Sequence, residues 1–327
     1  MAVIPTPELY RLEVDGDGPE DVAVLDDRLV TGVADGRVLS IAKDGTDIKV
    51  LADTGGRPLG VEAMPDGRLI VCDAQRGLLR VDPAADSIES LVTTVDGEPM
   101  KLCNNAAVAA DGTIYFTDSS RRYGLEAFQT DVIERTATGR LLRRDPAGEV
   151  QVLLDHLEFA NGVALADDES FVAVAETATG RIHRVWLHGP RCGESEVLVD
   201  RLPGLPDNLS TGTLGRIWVA LPVTGIRPLR LAQRTPRPAR RLIGRAASAV
   251  NHAPAATARV LAINRDGTAV ARMACGRRCG YRMVTGVREH DGALYLGSIA
   301  QQAIAAVSPA PSNPTEQLIR LRPHDRG

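Results

Sequence analysis

Four side chains of types suited to a hard cation recur at matching places along the chain. Asn104, Asn161 and Asp207 each stand eight residues before a turn position, at Gly112, Glu169 and Gly215, and Glu20 stands seven before Asp27. Two carboxylates would neutralise a doubly charged ion, and two amide oxygens would add ligands without excess charge. That set suits calcium, or another hard divalent cation, better than zinc, and no histidine or thiol shares the register. In the same slot, Leu59 precedes the turn at Gly67 and Val284 the turn at Gly292, so polarity there is not a general demand of the chain. The plainer reading, Asn and Asp bonding exposed backbone at turns, gives no reason for the registers to agree.

The elements that must position these side chains are short strands. Six times an apolar run, a turn and a second apolar run follow one another, as in Val61-Glu-Ala-Met-Pro-Asp-Gly-Arg-Leu-Ile-Val71. A third strand usually follows, as in Gly77-Leu-Leu-Arg-Val-Asp82, and often a fourth, as in Glu149-Val-Gln-Val-Leu-Leu154. Three or four strands per ~40 to 50 residues is the period of a propeller blade, which buries its faces only when stacked beside its neighbours. The chain is therefore expected to be all-β, a single six-bladed β-propeller domain over residues 1–327. Inner strands would line a central channel, and equivalent positions would meet at one height. Closure of the ring falls to a strand at residues 9–14 or to one at 318–321, and the pattern leaves both open.

Two units carry insertions, at residues 121–138 and 225–257. The second is rich in Pro and Arg, with Arg227, Arg230, Arg234, Arg237, Arg240, Arg241 and Arg245 and no acid among them. Pro228, Pro236 and Pro238 exclude one long helix, so an irregular or short-helical excursion at the channel mouth is expected. Its arginines could form a solvated face, a lid or a basic contact surface.

Composition narrows the partners. With 327 residues, 44% of them hydrophobic, and a formal charge of -4, nothing in the whole-molecule field points to nucleic acid or a membrane. A small molecule is the expected partner. The N-terminus lacks a basic flank and an apolar run, and no ~18-residue apolar stretch occurs, so a cytoplasmic location is expected. Of five cysteines, Cys275 and Cys279 could close a small disulfide or hold half a metal site, but loop thiols are the simpler expectation. Lysine occurs only at Lys43, Lys49 and Lys101 while arginine abounds, a bias that suggests a GC-rich bacterial gene.

Longer stretches carry a family likeness. Phe159-Ala-Asn-Gly-Val-Ala-Leu165, Ala175-Glu-Thr177, Gly180-Arg-Ile182, Leu205-Pro-Asp-Asn-Leu209, Cys103-Asn-Asn105 and Asp111-Gly-Thr-Ile-Tyr-Phe-Thr-Asp-Ser119 together resemble the strictosidine-synthase-like family. That family belongs to a wider six-bladed group with gluconolactonase/regucalcin, the paraoxonases and squid-type phosphotriesterase. The resemblance implies a channel calcium held by Glu20, Asn104, Asn161 and Asp207, with Asn208 at a further ligand position. It also implies lactone or ester hydrolysis, with calcium polarising the carbonyl, Asp207 as general base or nucleophile, and Asn104 and Asn208 orienting the substrate.

The chain departs from the family pattern at three places. Asn105 stands where an Asp is usual, Leu59 where a paraoxonase-type histidine would be, and Met283-Val-Thr-Gly-Val287 lacks the glutamate of the plant synthases. A Pictet–Spengler condensation is accordingly not expected. The rival readings are a biosynthetic enzyme acting on a natural product without hydrolysis, and a propeller that only binds, since a fold does not fix a function.

Overall fold

The computed structural model describes residues 2–3, 9–250, 258–275 and 279–307. Six sheets follow one another around a ring, each built on a four-stranded antiparallel meander, and in the fifth Ala2–Val3 adds an outer strand parallel to Ala269–Cys275. The blades run over residues 23–53, 58–92, 103–157, 160–199, 209–275 and 284–307. In each, the first strand lies innermost and the fourth at the rim.

Burial follows position in the blade. The second strands, Leu69–Asp73 and Phe171–Glu176, are buried at every residue, because each lies between two strand neighbours and between two adjacent blades. Rim strands such as Ile48–Asp53 and Ser87–Val92 mix exposed and half-buried residues. The apolar core is divided among the interfaces between blades. Val30, Val38, Val71 and Leu79 fill the gap between the first and second, and Trp218, Val260 and Leu296 the gap between the fifth and sixth.

Ring closure uses the N-terminal strand. Leu9–Glu13 pairs antiparallel with Ala303–Val307, placing Leu12 opposite Ile304, as the rim strand of the sixth blade. One blade is thus shared between the two ends of the chain. The other candidate, residues 318–321, lies outside the described residues.

Both insertions fold over one end of the ring. The first gives a short 3-10 turn, Leu125–Ala127, and helix α1, Phe128–Glu134. The second gives α2, Arg227–Gln233, and α3, Arg237–Val250. Of the irregular and short-helical forms expected, these residues take the helical one. Pro228 and Pro238 each sit at the second helical position, where a backbone N–H has no partner within the helix. Helix α3 packs on α1, with Gly244 close against Thr130 and the Thr130 and Ser248 hydroxyls 3.1 Å apart.

The cysteine expectation is corrected: Cys275 and Cys279 form a disulfide, their Cα atoms 6.0 Å apart, within the usual span for such a bridge. Among the described residues no helix is long and apolar enough to cross a membrane.

Closure by the N-terminal strand makes a stability prediction. Leu12 is only 8% exposed and packs with Val14, Leu39 and Ile304, so Leu12→Ala costs about 2–4 kcal/mol. Val50 on the rim, 56% exposed, costs under about 0.5 kcal/mol on the same change. Urea unfolding of the two variants measures the difference, and equal losses would contradict the closure.

Candidate metal centre

At the height of the candidate ligands, the inner strands lose their regular pairing. Register shifts fall between Pro58 and Val61, Cys103 and Ala106, Ala160 and Val163, and Val284 and Gly286. In the first and fifth blades the inner strand begins only at Ala23 and Leu209, just after Glu20 and after Asp207 and Asn208. A bulge frees residues from the ladder and re-aims their side chains. All five sequence-derived residues therefore stand on backbone released from strict alternation.

Three of them are carboxamides held in one orientation. The Asn104 Nδ2 donates to Ser119 Oγ at 3.0 Å, Asn161 Nδ2 to Thr177 Oγ1 at 3.2 Å, and Asn208 Nδ2 to Glu20 Oε2 at 3.2 Å. Their side-chain oxygens, Oδ1 in every case, are buried and have no hydrogen-bond partner. Asn104, Asn161 and Asn208 are at most 5% exposed, so water does not serve those oxygens from bulk. Asp207, partly exposed, is hydrogen-bonded by the Asn161 side chain and repels Glu20 electrostatically. The structure thus links Glu20 with Asn208, and Asp207 with both Asn161 and Glu20. Asn104 stands on the third blade with its oxygen in the same unsatisfied state.

A ring of hydrogen bonds one layer out fixes the blades at this height. Asp21 Oδ2 accepts from Val61 N at 3.3 Å and from Asn105 Nδ2 at 3.1 Å, and Asn105 Oδ1 accepts from Val163 N at 2.8 Å. Gly162 N donates to Asp207 O at 3.3 Å, Asn208 N to Thr285 O at 3.0 Å, and Thr285 Oγ1 to Glu20 O at 2.7 Å. Gly162 permits the fourth and fifth blades to meet: a Cβ there would stand 2.1 Å from Leu209 N. Sequence reasoning missed Asp21 and the bridging role of Asn105. The substitution that removes a family carboxylate at Asn105 leaves Asp21 as the carboxylate of this layer.

Charge along the channel is unbalanced. Glu20, Asp21, Glu62 and Asp207 face Arg57 and Arg288, leaving two negative charges if all ionise. Burial is the largest influence on each of the three shifted acids. It pushes Asp21 up to about 6 and Asp207 up to about 7, and lifts Glu20 well above its usual value with help from Asp207 and Asp21. Arg57 and the Asn208 hydrogen bond oppose the shift at Glu20. Arg57 is itself buried, donating to Gly18 O at 2.9 Å. Further along, Arg288 Nη2 donates to Glu62 Oε2 at 2.6 Å and its Nε to Val22 O at 3.1 Å.

Toward the insertions the channel turns apolar. Leu102, Phe159 and Leu205 lie two residues before Asn104, Asn161 and Asp207, and they cluster with Leu59 and with Val132 of α1. Phe128 of α1 and Leu229 of α2 pack on the outside of this cluster. An open cleft of about 350 Å³, lined by Ala74, Met100, Lys101, Leu125 and Glu126, adjoins it. His183 pairs with Glu176 on the fourth blade, and His290 with Asp291 at an exposed turn where Lys43 also binds Asp27 and Asp291.

The residues present fit a divalent cation. Buried carbonyl-type oxygens with no donor, beside carboxylates in excess of guanidinium, are what such an ion requires. Glu20, Asn104, Asn161, Asp207 and Asn208 could hold it.

A six-bladed propeller is also the architecture of several solved proteins. The chain superposes on a gluconolactonase from Xanthomonas campestris with TM-score 0.67 at 20% identity, over 93% of this chain and 89% of that one. It superposes on a calcium-binding regucalcin from Agrobacterium tumefaciens with TM-score 0.65 at 13% identity, over 94% and 96%. These likenesses define the fold class. Family models for strictosidine synthase and for the N-terminal part of strictosidine synthase-like proteins match residues 104–190 and 6–41. The chain is 35% identical over 315 residues to the human adipocyte plasma membrane-associated protein, covering 89% of this chain and 75% of that one. It is 41% identical over 221 residues to the mouse protein of that name, covering 62% and 53%, so it spans about half the length of that relative. The protein belongs to the strictosidine synthase-like family. The bacterial origin suggested by the arginine bias is corrected by these relatives, which come from vertebrates and, at 38% identity, from Arabidopsis thaliana.

The raised acids give a pH prediction. Their unfolded counterparts titrate near 4, so cation-free folding takes up protons between about pH 4 and 7, and the stability they contribute falls as pH rises through that window. A cation must displace those protons. Calcium affinity, measured calorimetrically, therefore rises from about pH 5 to 8, by up to roughly tenfold per pH unit for each proton displaced. Affinity independent of pH would contradict protonated carboxyls at the site.

Proposed function

We propose that this protein is a calcium-dependent hydrolase of lactone or ester substrates, with its site at the channel height of Glu20, Asn104, Asn161, Asp207 and Asn208. The observation that carries the reading is the three buried amide oxygens left without donors beside two carboxylates. Calcium, when bound, supplies a Lewis acid that polarises a carbonyl and stabilises charge developing on its oxygen. The names of the solved neighbours, a gluconolactonase and a calcium-binding regucalcin, support the choice of ion and reaction.

The chain's own groups do the rest. Asp207 is the only one of the five that is partly exposed, and so can meet a water molecule. It accepts the proton of the water that attacks the carbonyl carbon and returns it to the departing alkoxide oxygen. The products are a carboxylic acid and an alcohol, joined in one molecule when the substrate is a lactone. Asn104 and Asn208 orient the substrate, and the roof of Leu59, Leu102, Phe159 and Leu205 excludes water and favours an apolar acyl or leaving portion. The small-molecule substrate reaches the site through the cleft beside Ala74 and Leu125.

A second reading has its own observation. The roof is closed and buried, as suits a propeller that only sequesters a ligand. No glutamate enters the sixth-blade segment 283–287, which weighs against a condensing activity of the plant type. The Cys275–Cys279 disulfide belongs to an oxidising compartment, and the relatives are named plasma membrane-associated. Both weigh against the cytoplasmic location suggested by the N-terminal sequence.

Asp207→Asn separates catalysis from sequestration. The change keeps an oxygen and nearly the same volume but removes the base, so kcat on a responsive lactone falls by ~10²-fold or more. Saturating calcium isolates the chemical step from weakened binding of the ion. Wild-type kcat in this variant would reduce Asp207 to a ligand, and turnover that survives chelation would remove calcium from the reaction.

A further inference from the structure

The polarity of α3 is reversed for a helix that faces water. Its packing side, against α1, carries Gly244 and Ser248. At about 3.6 residues per turn the opposite side is Ala239, Leu242 and Ala246, with Pro238 and Ile243 at its edges. Leu242 is 71% exposed and Ile243 38%, and Leu231 on the neighbouring α2 is 68% exposed. A solvated face would turn its arginines outward and its leucines in.

Arg245 flanks this apolar side of α3, and Arg227, Arg234 and Arg237 stand at the ends of the two helices. Arg227, Arg234, Arg237 and Arg245 are exposed and make no ion pair among the described residues. Arg241 reaches Glu134 only at 3.7 Å, and Arg230 is spent on the carbonyls of Ala178 and Thr179. Free positive charge thus flanks exposed leucine and isoleucine on one insertion. The whole-chain charge of -4 conceals this local excess.

We propose that α2 and α3 form a docking surface for an anionic lipid bilayer. Leucine and isoleucine side chains fit the boundary between headgroups and acyl chains, and the arginines fit acidic headgroups around them. Nucleic acid would use the arginines but leave Leu231, Leu242 and Ile243 without a role. The inner side of α2 contributes Leu229 to the roof, so docking sets the channel mouth at the membrane surface. That substrate would then enter from the bilayer rests on the hydrolase reading. Docking itself does not, and its test needs no turnover.

The test is flotation of the full chain with vesicles. The protein binds vesicles of equal parts phosphatidylcholine and phosphatidylserine, binds less as salt is raised, and does not bind phosphatidylcholine alone. Leu242→Glu reduces binding by tenfold or more, and the double change of Arg237→Gln with Arg245→Gln reduces it about 25-fold, at about one factor of five per arginine. The melting temperature of each variant stays at the wild-type value, because all three positions are exposed. Binding unchanged in these variants places the lipid contact elsewhere and overturns the proposal. So does a wild-type chain that ignores the vesicles but sediments as a dimer that Leu242→Glu dissociates, which makes this face a contact between copies.

Discussion

Three carboxamide oxygens with nothing to accept from are the constraint on which the channel depends. Leaving a buried acceptor unsatisfied costs about 1–3 kcal/mol, and here the same liability appears at Asn104, Asn161 and Asn208. None can escape by turning its amide, since each Nδ2 is already committed to Ser119, Thr177 or Glu20. The neighbouring acids carry a matching penalty, raised by burial and by one another. Oxygen dipoles and carboxylates that are unfavourable together become favourable around one divalent charge.

Such a site can exist only if the ring around it is rigid. Each blade offers apolar faces that only its neighbours can cover, and the rim strand Leu9–Glu13 ties the last blade to the first residues of the chain. The same logic reappears at the centre, where Asp21, Asn105 and Thr285 tie adjacent blades together one layer outside the candidate ligands. Breaking regular pairing at the slot lets neighbouring residues such as Asn104 and Asn105 serve both layers. The apolar roof completes the site by keeping the dielectric low where the unbalanced charge sits.

Much of this was legible in the sequence because a repeat exposes position. Turns spaced at blade intervals gave the fold, and their common offset singled out Glu20, Asn104, Asn161 and Asp207 without any structural knowledge. Asp21 was not legible, because strict alternation sends the residue after Glu20 to the opposite face, and the backbone irregularity that recovers it leaves no compositional mark. The helices of the second insertion were half legible: the prolines forbade one long helix but also suited the first turns of two short ones. The Cys275–Cys279 bridge depended on a 6.0 Å approach of Cα atoms, which spacing alone does not fix. The arginine bias, read as bacterial, carried no structural constraint, and the vertebrate and plant relatives overturn that reading.

The central claim, that these oxygens converge on one cation, is tested most directly by a crystal structure of the protein grown with calcium. The account predicts a single ion in the channel with oxygens of Glu20, Asn104, Asn161 and Asp207 at about 2.3–2.6 Å, and the three orphaned Oδ1 atoms turned toward it. An ion bound elsewhere, or a channel at saturating calcium in which ordered water satisfies those three oxygens instead, would contradict it.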